Sequence, residues 1–346
     1  MLSGARALPV LGSNDITEWS VIMFKVQKLI KVLKFVFGMR EMALVLVLLV
    51  IGVIMTSISP VFLSYLNLRA ILMALSVEAP IAAGMVILLI SGGLDLSVGS
   101  TLAFAGVAAG LSLNAGLPAP VSILVGLLAA LGVGLVNGLL VAKVGINPFI
   151  TTLGMMTIVR GLLLVLAGGR AVLNLPRSFT VIGQGTLFGV QYPIYVMLIM
   201  VIVGDILMRN SRFFRQNYYI GGNEKAARLT GINVNLMKIF NFCLTAFLAG
   251  VAGLLITARF GSASVTVGSG LELKVITAAI IGGASLSGGE GSVFGAFLGA
   301  LLMAVIANAL NLMGVDVFWQ TLVTGVILIT AVVIDQVNER RKRGQQ

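Results

Sequence analysis

"MALVLVLLVIGVIMTSIS", residues 42–59, contains no charged side chain, and Thr56, Ser57 and Ser59 are its only polar ones. About 20 apolar residues at 1.5 Å per residue match the ~30 Å hydrocarbon core of a bilayer, where a helix satisfies its own backbone groups. Comparable runs recur near 68–90, 97–115, 120–142, 148–168, 188–208, 237–258, 271–287, 293–312 and 315–335. The reading is an all-α polytopic membrane protein with about ten transmembrane helices, several broken by glycine.

Composition agrees. Of 346 residues 58% are hydrophobic and 10% charged, and the mean hydropathy is +1.09, far from the mix of a soluble domain. The chain divides into an N-terminal segment 1–41, a transmembrane domain 42–335 with a polar loop at 209–236, and a basic tail 336–346. Histidine is absent and Cys243 is the lone cysteine, which excludes disulfides and the usual His and Cys metal sites, so no metal is expected. No nucleophile and base pair of the ordinary kind can be assembled, which argues against an enzyme.

The formal charge of +11 is explained by basic residues flanking spans, and no nucleic-acid module accompanies it. With both termini inside, 17 of the 23 Lys and Arg fall inside, five fall outside and Arg160 lies within a span. The expected setting is a bacterial-type plasma (inner) membrane, with N- and C-termini cytoplasmic. The first residues do not read as a cleaved signal peptide. Instead Val26, Leu29, Ile30, Leu33, Val36 and Phe37 form one stripe and Lys25, Lys28, Lys31 and Lys34 the other half, the pattern of an interfacial helix with snorkelling lysines.

Gly106 and Gly110, Gly134 and Gly138, and Gly291, Gly295 and Gly299 are spaced by four, which lets helix backbones approach closely. "ISGGLDLSVGS" at 90–100 and "IGGASLSGGEGS" at 281–292 resemble each other loosely, as halves of an internal repeat in a transporter would. Tight turns at two helix ends would give the same pattern.

The polar interruption "NYYIGGNEKAARLTGI", residues 217–232, reads as a short helix outside the membrane. Asn223 is suited to cap it, Glu224 favours the first turn, Ala226, Ala227 and Leu229 make a small apolar face beside Arg228, and Gly231 closes it. About seven residues span only about 10 Å, so a partner has to receive the exposed face.

"GGLDLSVGS", "INPFITTLGMMTIVRG", "GGNEKAARLTGINV" and "IGGASLSGGEGSVFGAFLGALL" resemble the transmembrane permease subunits of ABC importers for ribose and related monosaccharides, over about residues 44–335. The resemblance implies that 223–231 is a cytoplasmic coupling helix. It also implies cytoplasmic ATP-binding subunits, a second permease copy or paralogue, and an extracytoplasmic sugar-binding protein. ATP is then used by the partner ATPase, and this chain binds no cofactor: it lacks the G-x-x-x-x-G-K-[ST] stretch that cradles phosphates.

Candidate residues of the substrate pathway are Glu78, Asp95, Ser97, Asn147, Phe149, Thr151, Ser285 and Ser287, with Asn137 and Thr152 chemically suited as well. An acid at the depth of Glu78 costs about 2.5–3.5 kcal/mol on insertion scales and calls for a partner; Arg160 is one candidate. Related permeases often carry a neutral polar residue where Glu78 falls. Asp95 can equally serve as a helix cap, and the small polar groups as packing. The alternative function is an ion-gradient-driven secondary transporter of a small polar solute, for which Glu78 is the one strong titratable candidate. A structural scaffold would not need broken helices.

Overall fold

A computed structural model describes residues 40–343, with no partner chain. The interfacial helix expected over Val26–Phe37 lies outside the described residues. The helices are α1 (Arg40–Ile58), α2 (Tyr65–Ile90), α3 (Val98–Asn114), α4 (Ala119–Leu139), α5 (Pro148–Leu166), α6 (Arg177–Gln184), α7 (Tyr192–Asn210), α8 (Arg212–Gly222), α9 (Glu224–Leu229), α10 (Val234–Phe260), α11 (Leu271–Ile281), α12 (Val293–Leu312) and α13 (Val317–Arg343). A π-helical turn, Leu140–Val144, extends α4 and ends at Gly145 in the left-handed region, φ 82°.

Among the described residues eight helices are long and apolar enough to cross a membrane: α1, α2, α4, α5, α7, α10, α12 and α13. The expected spans at 97–115 and 271–287 are shorter helices, 17 residues in α3 and 11 in α11. Both border the Gly-rich interruptions, whose left-handed residues Gly92, Gly283, Gly288 and Gly289 stop a helix from continuing. The span expected from 188 begins at Tyr192, because 186–191 forms a hairpin. Its strands β1 (Thr186–Leu187) and β2 (Val190–Gln191) are joined through Phe188 and Gly189, both at positive φ, as a tight hairpin turn requires. Of the basic tail, the described residues 336–343 continue α13 as helix.

Helix α10 is the axis of the bundle, packed on α2, α3, α4 and α6. In lipid no hydrophobic force drives helices together, so close packing must. A Cβ on Gly134 or Gly138 would strike the α10 backbone at Phe242–Cys243 or Ile239, and one on Gly299 would strike Ala278 of α11. These glycine faces are therefore helix seams. The apolar core is contributed chiefly by α2, α10, α11 and α12, whereas α1 and α13 are largely exposed.

Candidate functional site

Two places in the bundle gather polar groups that its packing does not explain. The first is a cavity of about 300 Å³ bounded by α2, α3, α10, α11 and the 261–270 loop, at the lower end of the ~300–1,000 Å³ range of small-molecule sites. Glu78, Arg259, Lys274 and Ser269 supply its polar atoms, and Met73, Phe260 and Val267 its apolar wall. Lys274 Nζ lies 3.9 Å from Glu78 Oε1. The same pair lines a second cavity of about 80 Å³ against α12 and α13, and so forms the wall between the two.

Arg259 Nη1 donates to Met73 O at 3.4 Å, and its guanidinium stands 5.4 Å from the Phe260 ring centroid. Among the described residues it has no carboxylate within 4.0 Å. The cavity thus offers one carboxylate, two cationic donors, a hydroxyl and an aromatic surface. This is the donor and acceptor set, with a ring face, that a small polyhydroxylated solute can use.

The Glu78–Arg160 pair considered from sequence does not form. Arg160 Nη1 instead donates to Val265 O at 2.7 Å and Val267 O at 3.1 Å, clasping the loop that lines the cavity. Both bonds come from the one nitrogen, whose two hydrogens are enough for the two carbonyls.

Of the candidate pathway residues, only Glu78 lines the cavity. Asp95 and Ser97 are fully buried in the break between α2 and α3. Asp95 Oδ1 accepts from Ser97 N at 2.7 Å, which shapes the turn leading into α3, whose N-cap position is Ser97 and carries no side-chain cap bond. Asn147 caps α5 by accepting from Phe149 N at 2.8 Å. Phe149 is exposed, Thr151 and Thr152 are buried inside the bundle, and Thr152 donates to Pro148 O. Ser285 Oγ reaches Asp335 of α13 at 3.5 Å, and Ser287 N donates to Ser285 Oγ, so both shape the 282–292 loop. Lys274, Arg259 and Ser269 were not legible as cavity residues: the charge count places the two cations outside, and no periodicity joins them to Glu78.

The second place is the end of the bundle that carries α8 and α9. Asn223 Oδ1 accepts from Ala226 N at 3.0 Å, the expected cap. Gly231, at φ 86°, closes the helix, with its N–H on Arg228 O. Glu224 receives Lys238 of α10 at 2.7 Å and Arg228 at 2.8 Å, which ties α9 to the bundle. Burial pushes the Glu224 carboxyl up, but hydrogen bonds and charge from Lys238 and Arg228 outweigh it and hold the group below the usual value. The expected Ala face divides. Ala227 is buried with Ile220, Val234 and Met237, while Ala226 is exposed and Leu229 is 90% exposed.

The two loosely similar Gly-rich segments meet directly above this helix pair. Gly289 N donates to Ile90 O at 2.8 Å. A Cβ on Gly221 of α8 would collide with both Ile90 O and Gly289 N. Beside this crossing Asn241 Nδ2 donates to Asn217 Oδ1 at 2.8 Å and to Ser91 Oγ at 3.0 Å, joining α8, α10 and the end of α2.

Residues 67–332 match the family described as "Branched-chain amino acid transport system / permease component". The chain is 38% identical over 301 residues to the ribose import permease protein RbsC of Escherichia coli (strain K12), covering 86% of this chain and 94% of that one. It is 35% identical over 300 residues to RbsC of Bacillus subtilis (strain 168), covering 86% and 93%. With the L-arabinose ABC transporter permease protein AraH of Azospirillum brasilense the identity is 36% over 303 residues, covering 88% and 89%.

Proposed function

The chain belongs to this transport permease family, as a multi-pass permease of the sugar ABC importer type, and from that premise we propose that it forms the inward pathway for a ribose-like monosaccharide. Separate cytoplasmic ATP-binding subunits drive it through α9, a second permease copy or paralogue completes the pathway, and an extracytoplasmic binding protein delivers the sugar. The chain itself binds no cofactor. The end bearing α8 and α9 is then cytoplasmic, with both termini on that side, in a bacterial-type inner membrane.

One observation carries the coupling reading: α9 is pinned to the bundle by Ala227 and the Glu224–Lys238 pair, yet it turns Leu229 outward at 90% exposure. A large apolar side chain held rigidly in water is an anchor suited to a partner's groove. The Glu78–Lys274 cavity suits the sugar reading. The same pair also weakens the ion-driven alternative, since the acid that would bind a coupling ion already has a cationic neighbour.

The test is capture of the tagged chain from native membranes, comparing it with Leu229→Glu. This substitution spares the Ala227 contact that a change at that position would disrupt. An ATP-binding protein retained by the intact chain and lost from the variant supports the dock at α9. Equal retention by both removes it. Uptake of labelled ribose and L-arabinose by the reconstituted complex then tests the substrate class, with uptake of neither overturning it.

A further inference from the structure

The hairpin at 186–191 lies at the end of the bundle opposite α8 and α9. Its turn is bonded to Tyr65, the first residue of α2, whereas Ile90, the last residue of α2, meets Gly289 above α8. At 1.5 Å per residue the 26 residues of α2 set these two places about 39 Å apart, on opposite sides of the hydrocarbon core.

The two turn residues are Phe188, at φ 50°, and Gly189, at φ 82°. The first of these positions suits Asn, Asp or Gly, and a phenylalanine held there is strained by about 1–3 kcal/mol. Its ring gains no burial within the chain in return. Phe188 is 93% exposed, more than any other large apolar side chain described. The hairpin that carries it is firmly mounted: Tyr65 Oη donates to Gly189 O at 2.8 Å, Tyr195 Oη donates to Leu187 O at 2.9 Å, and Val190 packs on the main core. Strain enforced by the surrounding structure, on a ring with no use inside the chain, marks a contact made with another molecule.

The surroundings of the hairpin are cationic. No acidic residue occurs between Asp95 and Asp205. The connection from α5 to α7 carries Arg170 and Arg177, both exposed, and Arg69 of α2 donates through Nε to Gln191 Oε1 at 3.0 Å. Among the described residues none of these arginines has a carboxylate within 4.0 Å. The complementary surface is acidic around an apolar pocket. A bilayer surface accepts an apolar side chain in any orientation and needs no strained, fixed turn, so a folded protein is the better match.

We propose that this hairpin is the docking point for the extracytoplasmic sugar-binding protein. Phe188 enters an apolar pocket of that protein, and Arg69, Arg170 and Arg177 face acidic groups around it. The proposal rests on the reading of the chain as an importer permease and adds to it the place where the binding protein is received.

The test replaces Phe188 in the full chain by the photo-cross-linking residue benzoylphenylalanine, irradiates cells that make it, and identifies the attached peptides by mass spectrometry. A sugar-binding protein is the expected product. Attachment to lipid alone, to a second copy of the chain or to nothing overturns the proposal. The binding protein so identified is then titrated into proteoliposomes that hold the chain and its ATPase subunits, with labelled ribose or L-arabinose, whichever the wild type takes up. Phe188→Asn keeps a residue that tolerates the left-handed region. It should raise the half-saturating concentration of binding protein at least about tenfold, as loss of an aromatic anchor does, with the maximal rate unchanged. Leu117→Asn, at an exposed leucine of the α3–α4 connection on the same side, should leave it unchanged. Half-saturation of Phe188→Asn within about twofold of wild type overturns the proposal. No uptake by the wild type itself would remove the importer reading, and the proposal with it.

Discussion

Lys274 Nζ stands 3.9 Å from Glu78 Oε1, and these two side chains form the wall shared by the larger and the smaller cavity. The Lys274 side chain is 43% exposed and that of Glu78 15%, so solvent screens the pair and its contribution to stability is about 1 kcal/mol or less. Its effect on transport should be larger, because removing the carboxylate leaves the wall with two cations and no acceptor of full charge. Glu78→Gln is expected to lower ribose uptake at least about tenfold, equivalent to about 1.4 kcal/mol, with little change in thermal unfolding. Uptake within twofold of wild type would leave the pair a structural contact only.

Gly221 offers a sharper structural test. A methyl group there collides with Ile90 O and Gly289 N, both backbone atoms, whereas a Cβ at Gly222 meets nothing within 4 Å. Forcing atoms into a packed seam costs about 1–3 kcal/mol. Gly221→Ala should therefore lower the unfolding temperature in detergent and uncouple ATP hydrolysis by the partner from uptake. Gly222→Ala should do neither. Equal behaviour of the two variants would mean that the crossing of the two Gly-rich segments transmits nothing.

The contrast between Gly221 and Gly222 marks how far the sequence could be read. Spans with unbroken apolar character, such as 42–59 and 293–312, were legible because the bilayer fixes both length and composition. The cap at Asn223 and the stop at Gly231 were legible because helix ends need particular side chains. Which of two adjacent glycines meets a backbone 131 residues earlier in the chain depends on tertiary packing, and local sequence holds no trace of it. The same applies to Glu78. The acid announced a need for a partner and the sequence pointed to Arg160, whereas Lys274, counted among the cations outside, came within reach of Glu78 only through the fold of α11. The hairpin at 186–191 was missed because two residues per strand give no alternation to detect.

Glu224 gives a prediction with a defined sign. Its folded value lies below the ordinary carboxylate value of 4.5, so its pairing with Lys238 and Arg228 stabilises the folded state fully above about 4.5. That contribution is lost as pH falls through the lowered folded value. Glu224→Gln should thus be slightly less stable than wild type at neutral pH, and the gap should close on acidification. The effect is small, since the group is well hydrated. A gap that widens in acid would show that the pairing is not what ties α9 to α10.

Arg160 is the last case, and it separates charge from shape. Its Nη1 holds Val265 O at 2.7 Å and Val267 O at 3.1 Å, and Val267 lines the cavity beside Arg259 and Phe260. Arg160→Lys keeps the positive charge but its ammonium ends one bond short of where Nη1 stands, while Arg160→Gln removes the charge and retains a donor. If the clasp on the loop is what matters, both variants release it. Each leaves at least one carbonyl without a donor, at about 1–3 kcal/mol where the group stays buried. Both should then slow uptake and expose the 261–270 loop to proteolysis or amide exchange faster than wild type. If the field of the cation matters instead, Arg160→Lys behaves as wild type and only Arg160→Gln fails. Amide exchange at Val265–Val267 in the two variants, measured beside uptake, distinguishes the outcomes, and slow exchange in both would remove the clasp from the account.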